Sequence, residues 1–196
     1  MKYKNIVFDF GNVIGKFDGR YMLEQFCSSK KDCDLLYPLI YANWADLDRG
    51  LDYEKNARRI TSLVPERLRD TVQRFFRCWP EHMVLMQDTL DFIDELHGKN
   101  IPVYLLSNAS TYFAEWPAWK DILKDFSGVV FSGPLKMVKP EPGIYRYLFE
   151  TYSLNPKECF FVDDLEENIE GGRALGMDGI IFTGSTDEIK AAIDLI

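Results

Sequence analysis

The chain has 196 residues, 46% of them hydrophobic and 14% aromatic, and a formal net charge of −8. That length holds one sizeable core plus an insertion, and the apolar content excludes a disordered chain. With 31 acidic against 23 basic residues and no basic block, the balance argues against nucleic-acid binding through phosphate neutralisation. Residues 17–85 carry 11 Lys+Arg and 11 Asp+Glu, so the other 12 basic and 20 acidic residues hold the whole net charge. This divides the chain into two units with different jobs, although an acidic surface also serves solubility. Cys27, Cys33, Cys78 and Cys159 show no C-x-x-C spacing, and His82 and His97 are the two histidines that could complete a zinc site, so structural zinc is not expected. The N-terminus runs into an apolar strand without a signal-peptide pattern, and no run reaches membrane-spanning length. The expectation is a cytoplasmic protein with reduced thiols and no membrane partner.

Taken in chain order, Ile6-Val7-Phe8-Asp9 reads as a buried strand that delivers a carboxylate to the C-terminal edge of a parallel sheet. Gly11-Asn12-Val13-Ile14-Gly15 follows, and its glycines suit a tight departure from that edge. From about Asp18 to Arg77 the pattern turns helical. Leu35, Leu36, Leu39 and Ile40 recur at helical spacing, Asp52 can cap Tyr53 to Leu63, and Pro65 suits the first turn of a helix through Phe75, Phe76 and Trp79. This predicts an insertion of roughly four helices. A further helix presents Met86, Leu90, Ile93 and His97 on one face and ends near Gly98, and Gly98-Lys99-Asn100 turns into a strand at Ile101 to Leu106. Strands are predicted at Gly128 to Phe131, Cys159 to Val162 and Gly179 to Phe182, with helices at Ile144 to Tyr152 and Glu166 to Leu175 between them. Such alternation predicts a parallel sheet with right-handed crossovers. Ser185-Thr186-Asp187-Glu188 is a capping-box pattern before the last helix.

Four motifs fall after strands: Asp9-Phe10-Gly11-Asn12-Val13, Ser107-Asn108, Lys139-Pro140, and Asp163-Asp164 with Asn168. A nucleophilic carboxylate, a small hydroxyl, an ammonium and an acid pair are the parts needed to handle a phosphoryl group. Clustered carboxylates repel one another, and a hard divalent cation relieves that repulsion through oxygen ligands. Singly each motif has a plainer reading as a turn, a solvated loop or a helix N-terminus, and their order and placement together carry the argument.

This ordered set resembles the haloacid dehalogenase superfamily over essentially the whole chain, and its spellings are closest to sugar-phosphate phosphatases acting on α-glucose 1-phosphate. The resemblance implies an α/β fold, a Rossmann-like parallel sheet core of residues 1–16 and 86–196 with an inserted all-helical cap of residues 17–85. It implies a Mg²⁺-dependent phosphatase of a small phosphorylated metabolite. Asp9 would attack phosphorus, Ser107 and the Asn108 backbone would bind a phosphoryl oxygen, and Lys139 would balance charge. Asp9, the Gly11 carbonyl, Asp163 and Asp164 would hold Mg²⁺, and Asn168 would orient the acid pair.

One position departs from that pattern. The family's usual acid/base stands two residues after the nucleophile, where this chain has Gly11. Asp18, Asp46 and Asp48 are candidates to replace it, and a substrate with an acidic leaving oxygen, such as an anomeric hydroxyl, would need it less. The loss also leaves open a non-catalytic, phosphate-binding protein; a metal-independent dehalogenase is opposed by the acid pair. Tyr41, Trp44, Asp48 and Arg49 either hold a sugar or, for the two aromatics, form cap core. Trp116-Pro117-Ala118-Trp119 reads as a packed loop facing the cap in preference to a surface turn, and His82 and His97 as structural rather than catalytic.

Overall fold

In the computed structural model, which describes residues 1–195, β1 (Asn5–Phe8) is followed by a turn that closes on a two-residue strand, β2 (Gly15–Lys16). Helices α1 (Gly19–Glu24), α2 (Lys30–Tyr41), α3 (Trp44–Asp48), α4 (Tyr53–Leu63) and α5 (Glu66–Cys78) come next. A 3₁₀ turn at Trp79–His82 leads into β3 (Val84–Leu85), which pairs antiparallel with β2. The helical insertion thus leaves and re-enters the core through one short ribbon. It has one helix more than the hydrophobic periodicity suggests, because α3 is too short to display a period.

The remaining elements alternate: α6 (Gln87–Gly98), β4 (Val103–Ser107), α7 (Thr111–Ala114), α8 (Trp119–Ile122), β5 (Gly128–Phe131), α9 (Ser132–Leu135), α10 (Pro142–Thr151), β6 (Cys159–Asp163), α11 (Glu166–Arg173), β7 (Asp178–Ile181) and α12 (Thr186–Ala192). The sheet order is β5-β4-β1-β6-β7, with every pairing parallel. This is the expected Rossmann-like α/β core. Strand alternation sends Ile6, Phe8, Leu105 and Val162 into one apolar cluster and Val7, Leu106 and Phe161 into another, so both faces are buried. That is why these strands read as continuous apolar runs rather than alternating ones. With β1 central and its neighbours in register, Asp9, Ser107 and Asp163 end adjacent strands at one edge.

Several local expectations hold. Asp52 caps α4 by accepting from the Lys55 N–H, and the four cysteines are free thiols. Helix α6 ends at Gly98 as expected, with Asn100 in the left-handed position of the turn that follows. In the turn after β1 Asn12 takes the left-handed position (φ 52°); asparagine tolerates that region because its side chain bonds locally. Gly15 in the same turn admits the Phe10 ring and Met83, each 2.8 Å from where a Cβ would stand. One expectation needs correction. The capping box before α12 does not form: Ser185 makes no cap bond and Glu188 accepts from the Thr183 hydroxyl at 2.7 Å.

Candidate active site

The sheet edge forms the floor of a cavity of about 290 Å³ whose roof comes from the helical insertion. Its floor includes Asp9, Ser107, Lys139 and Asp164, and its roof Phe17, Trp44, Asp48 and Trp79. The four motifs separated in sequence therefore meet, and each side chain is held for a reason that can be traced.

Lys139 lies between two carboxylates. Its Nζ is 2.6 Å from Asp163 Oδ2 and 2.8 Å from Asp9 Oδ1, and it donates to the Leu106 carbonyl at 2.9 Å. All three charged residues are buried. Burial alone would lower the lysine pKa, but Asp9 and Asp163 outweigh it and hold the ammonium above its ordinary value. The backbone of Lys139 is clamped by the Asn108 side chain, which accepts from its N–H at 2.8 Å and donates to its carbonyl at 2.9 Å. The Asn108 amide is thus spent on holding the lysine, which leaves its backbone as the part free to meet a ligand.

Asp163 is saturated. Oδ1 accepts from the Leu165 N–H and Asn168, each at 2.9 Å, and Oδ2 accepts from Lys139 and from Asn168 at 3.1 Å. Asn168 sits on α11, whose backbone is pinned where the Tyr145 hydroxyl donates to the Asn168 carbonyl at 2.7 Å. Asp164, half-buried, accepts from Asn12 Nδ2 at 2.9 Å, while Asn12 Oδ1 accepts from the Phe17 N–H at 2.9 Å. Asn12 thereby links Asp164 to the start of the insertion. Its role is not visible in the sequence beyond its place in the first motif.

The charges do not balance without a cation. Asp9, Asp163 and Asp164 present carboxylate oxygens all within 4.8 Å of one another, against the single ammonium of Lys139. Three negative charges and one positive leave two uncompensated, the charge of a divalent ion. Burial, then Asp163, raise Asp9 to about 6 against the opposing pull of Lys139, and burial raises Asp164. Asp9 Oδ1 is buried with no hydrogen-bond partner in good geometry among the described residues, in spite of the nearby ammonium. An all-oxygen donor set with excess negative charge fits Mg²⁺.

Asp48, at the end of α3, is pushed up to about 7, first by burial and then by the charge of Asp9, with Lys139 and the Ser110 N–H opposing. Asp18 and Asp46 are exposed, and Asp18 is occupied as the N-cap of α1. A carboxyl whose folded pKa lies above its unfolded value destabilises the fold once ionised, so its cost is absent at low pH and grows as pH rises towards 7. Asp48→Asn is therefore expected to raise the melting temperature of the metal-free protein at pH 8 and to leave it unchanged near pH 4. A thermal melt at the two pH values checks this.

Trp44 reaches the cavity, whereas Tyr41 donates to the Gly19 carbonyl at 2.9 Å within the insertion. Trp44 also packs against Phe75 and Trp79, so both aromatics take the cap-core reading. Trp119 is buried against Phe10 and Phe113, as packing of that loop predicts. Phe17, Trp79 and Phe113 also line the cavity, and no sequence signal separates them from core aromatics.

The chain matches the haloacid dehalogenase-like hydrolases over residues 3–176, and it belongs to that family. It is 28% identical over 187 residues to a D-ribitol-5-phosphate phosphatase of Bacteroides thetaiotaomicron, with 89% of each chain covered. A HAD family enzyme of the same organism, solved in complex with magnesium and inorganic phosphate, superposes with a TM-score of 0.69 at 25% identity, covering 94% of this chain and 96% of that one. The L-2-haloacid dehalogenase of Xanthobacter autotrophicus shares the fold, with a TM-score of 0.68 at 16% identity over 96% of this chain and 81% of that one. The chain is an enzyme, a hydrolase of the phosphatase kind, with Mg²⁺ as its cofactor. Among the described residues no helix is long and apolar enough to cross a membrane.

Proposed function

We propose that this enzyme hydrolyses the phosphate monoester of a small sugar or polyol through a phosphoryl intermediate on Asp9, in the cytoplasm, with residues 17–85 acting as a cap over a core of residues 1–16 and 86–196. The observation that carries the proposal is the convergence of Asp9, Lys139 and the acid pair on the floor of one small cavity. Asp9 attacks phosphorus, the bond from phosphorus to the leaving oxygen breaks, and that oxygen takes a proton. Water then attacks phosphorus, the bond to Asp9 breaks, and inorganic phosphate leaves with the carboxylate restored.

Ser107 and the Asn108 backbone hold the non-transferring phosphoryl oxygens, and Lys139 keeps Asp9 ionised beside an anionic substrate. Asp9, the Gly11 carbonyl and Asp164 hold Mg²⁺, which when bound neutralises charge on the transferring group. Asp163, with its lone pairs already taken, contributes mainly charge and a fixed position for Asp164 and Lys139. The cavity is of a size for a small metabolite, with aromatic faces in the roof and Asp48 as a polar group beside them. The likeness to a ribitol-phosphate phosphatase supports the same class of substrate.

Phosphate release from a panel of sugar and polyol phosphates, with Mg²⁺ and with chelator, tests the proposal. Turnover that chelator abolishes is the expected result, and no release from any ester in the presence of Mg²⁺ would overturn it.

A further inference from the structure

The position two residues beyond Asp9 is glycine, and an ideal Cβ placed there would stand 3.7 Å from Asp9 Oδ2 with no closer contact. A side chain would fit; none is present to give a proton to the departing oxygen. The titratable side chains that line the cavity among the described residues are Asp9, Lys139, Asp164 and Asp48. Asp9 is the attacking group, Lys139 donates to Asp163 and the Leu106 carbonyl and is ion-paired with Asp9, and Asp164 belongs to the metal side and is held by Asn12. Asp48 is left without another task, and it enters from the roof, opposite the sheet edge.

Its position is fixed by the core rather than by its own short helix. The Asp48 carbonyl accepts from Ser132 Oγ at 2.6 Å, and that buried hydroxyl in turn accepts from the Ala109 N–H at 2.8 Å. Arg49 pairs with Glu141 at 2.8 Å. Gly50 has φ +91° and packs so closely that a Cβ would stand 2.6 Å from the Gly133 carbonyl. Three consecutive residues of one loop thus dock on the segments that follow β5 and Lys139. Such docking places a carboxyl in the closed cavity that the open cap would withdraw.

We propose that Asp48 is the general acid of the reaction, delivering its proton to the leaving oxygen from the cap in place of a residue at position 11. As the bond from phosphorus to the leaving oxygen breaks, the proton passes from the Asp48 carboxyl to that oxygen. The resulting carboxylate then takes a proton from the water that attacks the Asp9 phosphoryl group, which restores both side chains. Burial and the neighbouring charge of Asp9 favour the protonated form needed at the start, while Lys139 opposes it. The assignment rests on the phosphatase reading above. It removes the need for an unusually acidic leaving group, so primary-alcohol esters become ordinary substrates.

The experiment compares wild type, Asp48→Asn and the double variant Gly11→Asp/Asp48→Asn on two alkyl esters, D-ribitol 5-phosphate and D-glucose 6-phosphate, and on p-nitrophenyl phosphate, whose leaving phenolate needs no proton. A general acid contributes about 10²- to 10⁴-fold. Asp48→Asn is expected to lose at least about 100-fold in kcat on the alkyl ester that wild type turns over, with p-nitrophenyl phosphate turnover changed far less. Gly11→Asp in that background is expected to restore much of the alkyl-ester rate, since the new carboxyl reaches the site from the floor. Equal losses on both kinds of ester, or undiminished alkyl-ester turnover, would overturn the assignment of Asp48 and leave the phosphatase standing. Wild-type silence on all three esters would instead overturn the phosphatase reading itself.

Discussion

Asp9→Asn is expected to reduce turnover by about 10⁴- to 10⁶-fold, the range seen when a covalent nucleophile is removed, with the protein still folded. The fold tolerates the change because Lys139 keeps Asp163 and the Leu106 carbonyl as partners, so no buried ammonium is left alone. The variant also removes one of the carboxylates that crowd the site, and burial already holds Asp9 near 6. Inorganic phosphate release and a thermal melt on the same sample separate the two effects. Full activity in Asp9→Asn would mean that another group attacks phosphorus.

Lys139→Met should be the most damaging change to stability in the site. Methionine matches the aliphatic stem but strands Asp9 and Asp163 as adjacent buried carboxylates with no cation between them. Removing one partner of a buried ion pair costs roughly 3–5 kcal/mol, which for a chain of this size is on the order of 10 °C in Tm. A divalent ion can replace part of the missing charge. Saturating Mg²⁺ is therefore expected to raise Tm by more in Lys139→Met than in wild type, where about 100-fold excess over Kd is worth about 2.7 kcal/mol. Melts with Mg²⁺ and with chelator measure the difference. An unchanged Tm in the metal-free variant would show that the two carboxylates share a proton instead of relying on the ammonium.

Both variants act on residues whose importance is legible before any folding is considered. The strand ending at Asp9 and the one ending at Asp163 are visible because a strand covered on both faces must be apolar along its whole length, and a sudden acid marks where the cover stops. The parallel sheet follows from the alternation of such strands with helices, whereas the family and its Mg²⁺ chemistry are reached through the resemblance that the four motifs carry.

The site is otherwise a product of tertiary structure. Asp48 and Ser132 are 84 residues apart, and nothing within α3 distinguishes Asp48 from Asp46 until the loop docks. The Ser185 box does not close, because local propensity is a weak preference that packing reverses at small cost. What the sequence by itself determined is therefore the sheet, its edge and the four groups that end there, since strand burial and strand-end chemistry are written in contiguous residues. Only the tertiary structure decided which cap residues meet those groups and which carboxyl shares their cavity. Those contacts depend on how two separately coded units close on each other, and no run of neighbouring residues encodes it.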